Sequence, residues 1–136
     1  MTVKILLVDD NPTFLGAVWQ LLDMLPGVEV IGEAHDGREA LVKAAELKPD
    51  LILLDVAMPE MSGVAVALRM KTWAQAPRIV FLSMHDNAAY REAAHNLGAL
   101  GFVGKADLVD GLLPILEQLV ADDVASARPV SPDPAP

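Results

Sequence analysis

Asp50 to Gly63 reads DLILLDVAMPEMSG, and no other stretch narrows the possible folds as much. Leu51, Ile52, Leu53 and Leu54 form an unbroken apolar run with an acid on either side. A run this short, closed by a Pro/Gly turn, predicts a strand buried on both faces. It ends in Asp55, and the chain then turns through Met58-Pro59 to Gly63. In an open parallel sheet, ligands and chemistry collect just beyond the carboxyl ends of the strands. A lone strand-end aspartate is more often a turn former than a reactive group. Its meaning depends on what the other strands place beside it.

The rest of the chain alternates regularly. Val3 to Val8 is a second short apolar run, stopped by Asp9-Asp10. Asn11 or Asp10 can cap a following helix that takes Pro12 in its first turn, where the missing N–H does no harm. Leu15, Val18, Leu21/Leu22 and Leu25 repeat at helical spacing until Pro26-Gly27. Val28 to Gly32 predicts a strand, and Gly37 to Leu47 a helix capped by Asp36. Gly63 to about Thr72 predicts the next helix, and Arg78 to Leu82 a strand ending at Ser83. An Ala-rich helix capped by Asp86 runs to about Leu97, where Gly98 suits its C-terminal cap. Leu100 to Val103 is a last strand, leading to Lys105. The final helix carries Leu112, Leu113, Leu116, Leu119 and Val120. Pro114 lacks an N–H and costs about 3 kcal/mol inside a helix, so regular helix is expected only from about Gly111. Strand–helix alternation repeated five times implies parallel strands with right-handed crossovers. The expected fold is a three-layer, doubly wound α/β domain over residues 1–121. Residues 122–136, Pro-rich from SARPVSPDPAP onward, are expected to form a disordered tail or linker.

Composition removes several function classes. Nineteen acids against ten bases give a formal charge of −9, which repels phosphate backbones and argues against nucleic-acid binding by this chain alone. The absence of cysteine removes disulfides, thiolate nucleophiles and thiolate metal sites. No apolar stretch reaches the ~18 residues of a membrane span, so no membrane association is expected. MTVKILLVDD has too short an apolar run and too acidic a flank for a signal peptide. A soluble, cytoplasmic protein is the expectation.

If the five strands are parallel, one rim collects Asp9 and Asp10, Asp55, Ser83 and Lys105. Aspartate pairs also cap helices, and edge lysines are usually solvated. Clustered carboxylates, however, repel one another unless a cation sits among them. Hard oxygen ligands in low number suit Mg²⁺, which takes one or two carboxylates and keeps several waters. An aspartate can act as a nucleophile toward phosphorus. In phosphoryl transfer a metal and a lysine neutralise the equatorial oxygens while positioning does most of the rest.

These residues resemble the response-regulator receiver domains of two-component signalling, the CheY-like fold. The resemblance runs from about Val3 to Val120. It is most specific at ILLVDD, at the D-x-x-M-P-x-x-x-G pattern of Asp55 to Gly63, and at GFVGK before the last helix. It implies a flavodoxin-like five-stranded sheet in the order 2-1-3-4-5, an order the handedness and spacing rules alone do not supply. It further implies Asp55 as phosphoacceptor, with Asp10 binding Mg²⁺ directly, Asp9 through water, and the Ala57 carbonyl as a further ligand. Lys105 would pair with the phosphoryl group. Ser83 would move to bond a phosphoryl oxygen, and Phe102 would turn inward in response. The implied partner is a sensor histidine kinase. The implied role is a switch that catalyses only its own phosphorylation and dephosphorylation, not an enzyme acting on other substrates.

Two positions depart from the family pattern. Ala106 follows the lysine where a cis proline is usual, and a cis bond before a non-proline residue costs about 2.5–4 kcal/mol. Gly104 replaces a bulky apolar residue. His35 and His95 read as solvated, while His85 lies where a family residue flanks the path of the hydrolytic water. LSMHDN at Leu82 to Asn87 resembles receivers that precede a helix-turn-helix output domain, which would link the chain to transcription regulation. A single-domain receiver with a short tail is equally compatible. A Mg²⁺-dependent aspartyl-phosphate hydrolase is the alternative activity, but Ala57 offers no proton to a leaving group. A nucleotide or flavin binder would want a Gly-rich turn after the first strand, where Asp-Asp-Asn-Pro stands. Finally, two apolar rows on the last helix suggest a homodimer contact there. One row is Leu108, Leu112, Ile115 and Leu119; the other is Val109, Leu113, Leu116 and Val120.

Overall fold

The computed structural model describes residues 2–84 and 87–127 of the 136-residue chain, with side chains described to residue 123. Five strands, β1 (Val3–Val8), β2 (Val28–Ala34), β3 (Leu51–Asp55), β4 (Arg78–Ser83) and β5 (Gly101–Gly104), pair in one sheet. All pairs are parallel and the order is β2-β1-β3-β4-β5, as the resemblance implies. The helices are α1 (Pro12–Asp23), α2 (Gly37–Leu47), α3 (Gly63–Met70), α4 (Ala88–Asn96) and α5 (Leu108–Ala127).

The apolar runs face both ways because side chains alternate along a strand. Ile5, Leu7, Leu51 and Leu53 pack with Leu15, Val18, Leu22, Leu112 and Leu116 of α1 and α5. Leu6, Val8, Ile52 and Leu54 pack with Ala40, Ala44, Val66, Met70 and Ala94 of α2, α3 and α4. Every residue of β3 is buried, as expected for the central strand. The sheet is thus the middle of three layers.

Local chemistry sets most helix starts. Asn11 caps α1, its side chain accepting from the N–H groups of Thr13 and Phe14, with Pro12 at the first position. That leaves Asp10 outside the cap. Asp36 accepts from the Glu39 N–H, while the Glu39 carboxylate accepts from the His35 N–H, a reciprocal arrangement close to a capping box. Asn87, not the expected Asp86, caps α4: its Oδ1 accepts from the N–H groups of Ala89 and Tyr90. An Asn two to three residues ahead of those donors has the geometry that capping requires. His85, read as flanking a water path, and Asp86 lie outside the described residues.

Several boundaries move by one or two residues. β2 extends to Ala34, β5 starts at Gly101 and includes Gly104, and α3 stops at Met70, where Thr72 turns back to the Arg69 carbonyl. The larger corrections concern α5. A 3-10 turn over Lys105–Asp107 leads into α-helix at Leu108, so Pro114 lies inside the helix and not in its first turn. The local cost is accepted because Leu112 and Leu116 on either side are fully buried, while Pro114 and Asp110, whose carbonyl loses its donor, are exposed to water. The helix also continues to Ala127, so residues 122–127 are helical where a disordered tail was expected. Gln118 donates to the Asp122 carboxylate across one turn of this extension, and alanines at 121, 125 and 127 favour helix. Residues 128–136 lie outside the described part.

The two apolar rows of α5 do not survive as drawn. Leu112 and Leu116 are core, and Leu108, Ile115, Leu119 and Val120 pack partly buried against it. Close approach to β5 consumes the first row and half of the second: a Cβ at Gly111 would press on Val103, and one at Gly101 on Ile115. Val109 remains exposed and Leu113 half-buried. No helix among the described residues is long and apolar enough to cross a membrane.

Candidate functional site

Register assembles the rim. Val8 of β1 pairs with Leu54 of β3, so Asp9 and Asp55 follow side by side. Asp55 pairs with Leu82 of β4, which puts Ser83 one step further along. Ser83 pairs with Gly104 of β5, and Lys105 comes next. Four residues far apart in sequence therefore stand on one edge of the sheet.

The turns above this edge are tightly held. The Asp9 N–H donates to the Ala34 carbonyl at 3.1 Å, and Asp9 Oδ1 accepts from the Asn11 N–H at 2.9 Å. Beyond β3 the chain doubles back, with the Gly63 N–H donating to the Val56 carbonyl at 2.8 Å. A Cβ at Gly63 would collide with the Asp55 carbonyl oxygen, so only glycine admits this turn. Ser62 then caps α3 by accepting from the Ala65 N–H.

Three carboxylates converge: one oxygen each from Asp9, Asp10 and Asp55 lie within 4.8 Å of one another. Asp9 is 1% exposed and Asp55 4%, whereas Asp10 faces solvent. Asp55 Oδ1 accepts from the Ala57 N–H at 3.2 Å. Lys105 Nζ is ion-paired to Asp9 Oδ2 and lies 3.5 Å from Asp55 Oδ2. The Asp9 Oδ2 atom is buried and, among the described residues, has that ion pair but no hydrogen bond. The ammonium also lies 4.4 Å from the centre of the Phe14 ring. Burial above all, then the Asp9 charge, push the Asp55 carboxyl up to about 6; Lys105 and the Ala57 N–H oppose this, and Asp10 adds to it.

Ser83 is buried at the end of β4, and Phe102 is half-buried on β5 with the Arg91 guanidinium 4.8 Å from its ring centre. Ala57 is exposed directly after the turn from Asp55. The structure therefore brings Lys105 into contact with Asp9 and Asp55, sets Asp10 within 4.8 Å of both carboxylates, and places Ser83 on the adjoining strand end. Phe102 stands on the neighbouring strand. No peptide bond among the described residues is cis, the Lys105–Ala106 bond included. Phe14 was not anticipated; its signal was its place one helical turn beyond Asp10, on the same rim.

The donor set is chemically suited to a hard divalent cation: three carboxylates, two of them buried, with a single ammonium to offset their charge among the described residues. Residues 5–116 match the response regulator receiver domain family. The nitrate/nitrite response regulator NarL of Escherichia coli K12 is 34% identical over 128 residues, covering 94% of this chain and 59% of that protein. A protein-glutamate methylesterase/protein-glutamine glutaminase of Alkalilimnicola ehrlichii is 35% identical over 122 residues, covering 88% of this chain and 31% of that protein. The chain thus spans only about a third to three fifths of these relatives. Among solved structures, the receiver domain of NarL from Mycobacterium tuberculosis aligns with a TM-score of 0.78 at 33% identity, covering 93% of this chain and 98% of that one. The response regulator domain of Thermotoga maritima CheB aligns at 0.71 and 28%, covering 98% and 100%.

Proposed function

The chain belongs to the response-regulator receiver family, the phosphoacceptor switches of two-component signalling, and we propose that Asp55 is its phosphoacceptor. The observation that supports this most is Lys105 beside two buried carboxylates, the one cation paired with them among the described residues. In this reading an Asp55 oxygen attacks the phosphorus of a donor, forming an O–P bond. The donor's bond to phosphorus breaks, and its electron pair leaves with the imidazole of a sensor histidine kinase or with acetate from acetyl phosphate. Lys105 offsets the charge of the transferred group. Asp9, Asp10 and Asp55, with the Ala57 carbonyl, would hold Mg²⁺, which when bound supplies positive charge to the phosphoryl oxygens.

Ser83, buried one residue past the Asp55 partner in β4, is the hydroxyl that would meet a phosphoryl oxygen. Phe102 is the aromatic that would respond, and Arg91 over its ring is the contact it would leave. Output would pass to a partner, to a DNA-binding domain linked beyond the receiver, or to a second copy. For a homodimer through α5, the apolar groups left facing outward are Val109 and Leu113, a narrower contact than two full rows.

The hydrolase alternative lacks support at residue 57, an exposed alanine with no acid to offer. Incubation with acetyl phosphate and Mg²⁺ separates the readings. A persistent, hydroxylamine-labile phosphoprotein supports the switch. Continuous phosphate release without accumulation would support the hydrolase.

A further inference from the structure

Among the described residues the Lys105 ammonium meets two carboxylates and one aromatic ring. Its closest contact is Asp9 Oδ2, with Asp55 Oδ2 at 3.5 Å and the Phe14 ring centre at 4.4 Å. Asp9 is also one of the three carboxylates placed to hold a divalent cation. An ammonium and a divalent cation would draw on the charge of the same Asp9 carboxylate. A cation held by the acids would weaken the hold of Asp9 on the ammonium and would repel it. Lysine carries its charge on a flexible four-carbon stem and solvates readily once released.

Of these three neighbours, the ring face is the one for which a metal does not compete. Mg²⁺ prefers carboxylate oxygens and its own waters, whereas an ammonium is attracted to the negative face of an aromatic ring. The Lys105 side chain is only 9% exposed, so this attraction acts with little screening by water. The main chain that carries the ring is also anchored. Asn11 Oδ1 accepts from the Phe14 N–H at 3.2 Å, and the Asn11 N–H itself donates to Asp9 Oδ1. Phe14 further packs against the core between the sheet and α1. Asp9, Asn11, Phe14 and Lys105 thus form a closed circuit of contacts.

We propose that Phe14 is a positioning residue for phosphoryl transfer, its ring face keeping the Lys105 ammonium within reach of Asp55 when a divalent cation occupies the acids. The inference rests on the reading of Asp55 as phosphoacceptor. The competing explanation is that Phe14 only fills volume, a task an aliphatic side chain could also perform.

Three measurements on one series separate the two: wild type, Phe14→Tyr, Phe14→Leu, and protein carrying phenylalanine analogues with one to three ring fluorines at position 14. The analogues nearly keep the ring's shape while weakening its negative face. The first measurement is the NMR shift of the Lys105 ε-methylene protons with and without Mg²⁺. The second is Mg²⁺ affinity, and the third is the rate of labelling by acetyl phosphate at saturating Mg²⁺. The wild-type ε-methylene should be shifted upfield by the ring and stay so with Mg²⁺. Labelling should be near wild type in Phe14→Tyr, fall stepwise with fluorination, and be roughly three- to tenfold slower in Phe14→Leu. Mg²⁺ affinity should be unchanged or tighter across the series. A rate indifferent to fluorination, an upfield shift lost on adding Mg²⁺, or rate and affinity falling together with stability would overturn the proposal. Should Phe14→Leu not fold, the fluorinated proteins decide alone. If the wild type accepts no phosphoryl group at all, the Asp55 reading fails and takes this inference with it. Normal wild-type labelling with a flat series defeats Phe14 alone.

Discussion

The substitution Asp55→Asn should stabilise the metal-free protein, although it removes the central group of the site. The wild-type carboxyl is 4% exposed, next to Asp9, and held up to about 6 against an ordinary 3.8. Unfolding lets it ionise freely, so the folded state bears a penalty that depends on pH. Below about pH 3.8 the group is protonated in both states and the penalty vanishes. Between 3.8 and 6 the unfolded state ionises first and the penalty grows; above 6 it is complete. That window corresponds to about 3 kcal/mol at pH 7.5 and about half as much at pH 5. The asparagine amide oxygen can still accept from the Ala57 N–H, and Lys105 keeps Asp9, so little else is lost. The assay is urea unfolding in EDTA at both pH values, followed by fluorescence of Trp19 and Trp73, with variant compared to wild type. A stability gain near 3 kcal/mol that halves at pH 5 is expected, and Mg²⁺ should reduce it by stabilising the wild type. A gain independent of pH, or a loss, would refute the electrostatic argument.

Gly63→Ala should lower stability by about 1–3 kcal/mol and impair labelling by acetyl phosphate, since the added Cβ collides with the Asp55 carbonyl and the turn must shift; denaturant melts and labelling rates check both. Pro114→Ala should raise stability by about 1–3 kcal/mol by restoring an N–H within α5, read from the urea midpoint. Leu112→Asp should unfold the domain, while Val109→Asp should change stability by no more than about 0.5 kcal/mol, as judged by circular dichroism. If Val109→Asp also dissociates an activated dimer in light scattering, the narrowed α5 contact gains support; an unchanged dimer removes it.

The sequence made the strand ends legible because each apolar run stops at a polar residue. With the parallel strands implied by strand–helix alternation, Asp9, Asp55, Ser83 and, one residue further on, Lys105 could be placed on one rim. Strand order could not, since pairing between β1 and β3 is a non-local choice; it came from the family resemblance. The position of Asp10 outside the helix cap was ambiguous until Asn11 was seen accepting from Thr13 and Phe14. Pro114 misled because helix propensity is a weak prior against the burial of Leu112 and Leu116. The two rows on α5 misled for a packing reason: Gly101 and Gly111 let the helix approach the sheet so closely that the first row and half of the second are used up. The role of Phe14 was hidden because a residue at helical spacing reads first as core. Only the trajectory of the Lys105 side chain, arriving from the far end of the sequence, gives that ring a cation to face.

Intact-mass measurement after incubation with acetyl phosphate and Mg²⁺ tests the central assignment most directly. One phosphoryl adduct should form on the wild type, map to Asp55 by fragmentation, and be absent from Asp55→Ala. An adduct that persists in that variant, or that maps to Asp9 or Asp10, would contradict the assignment.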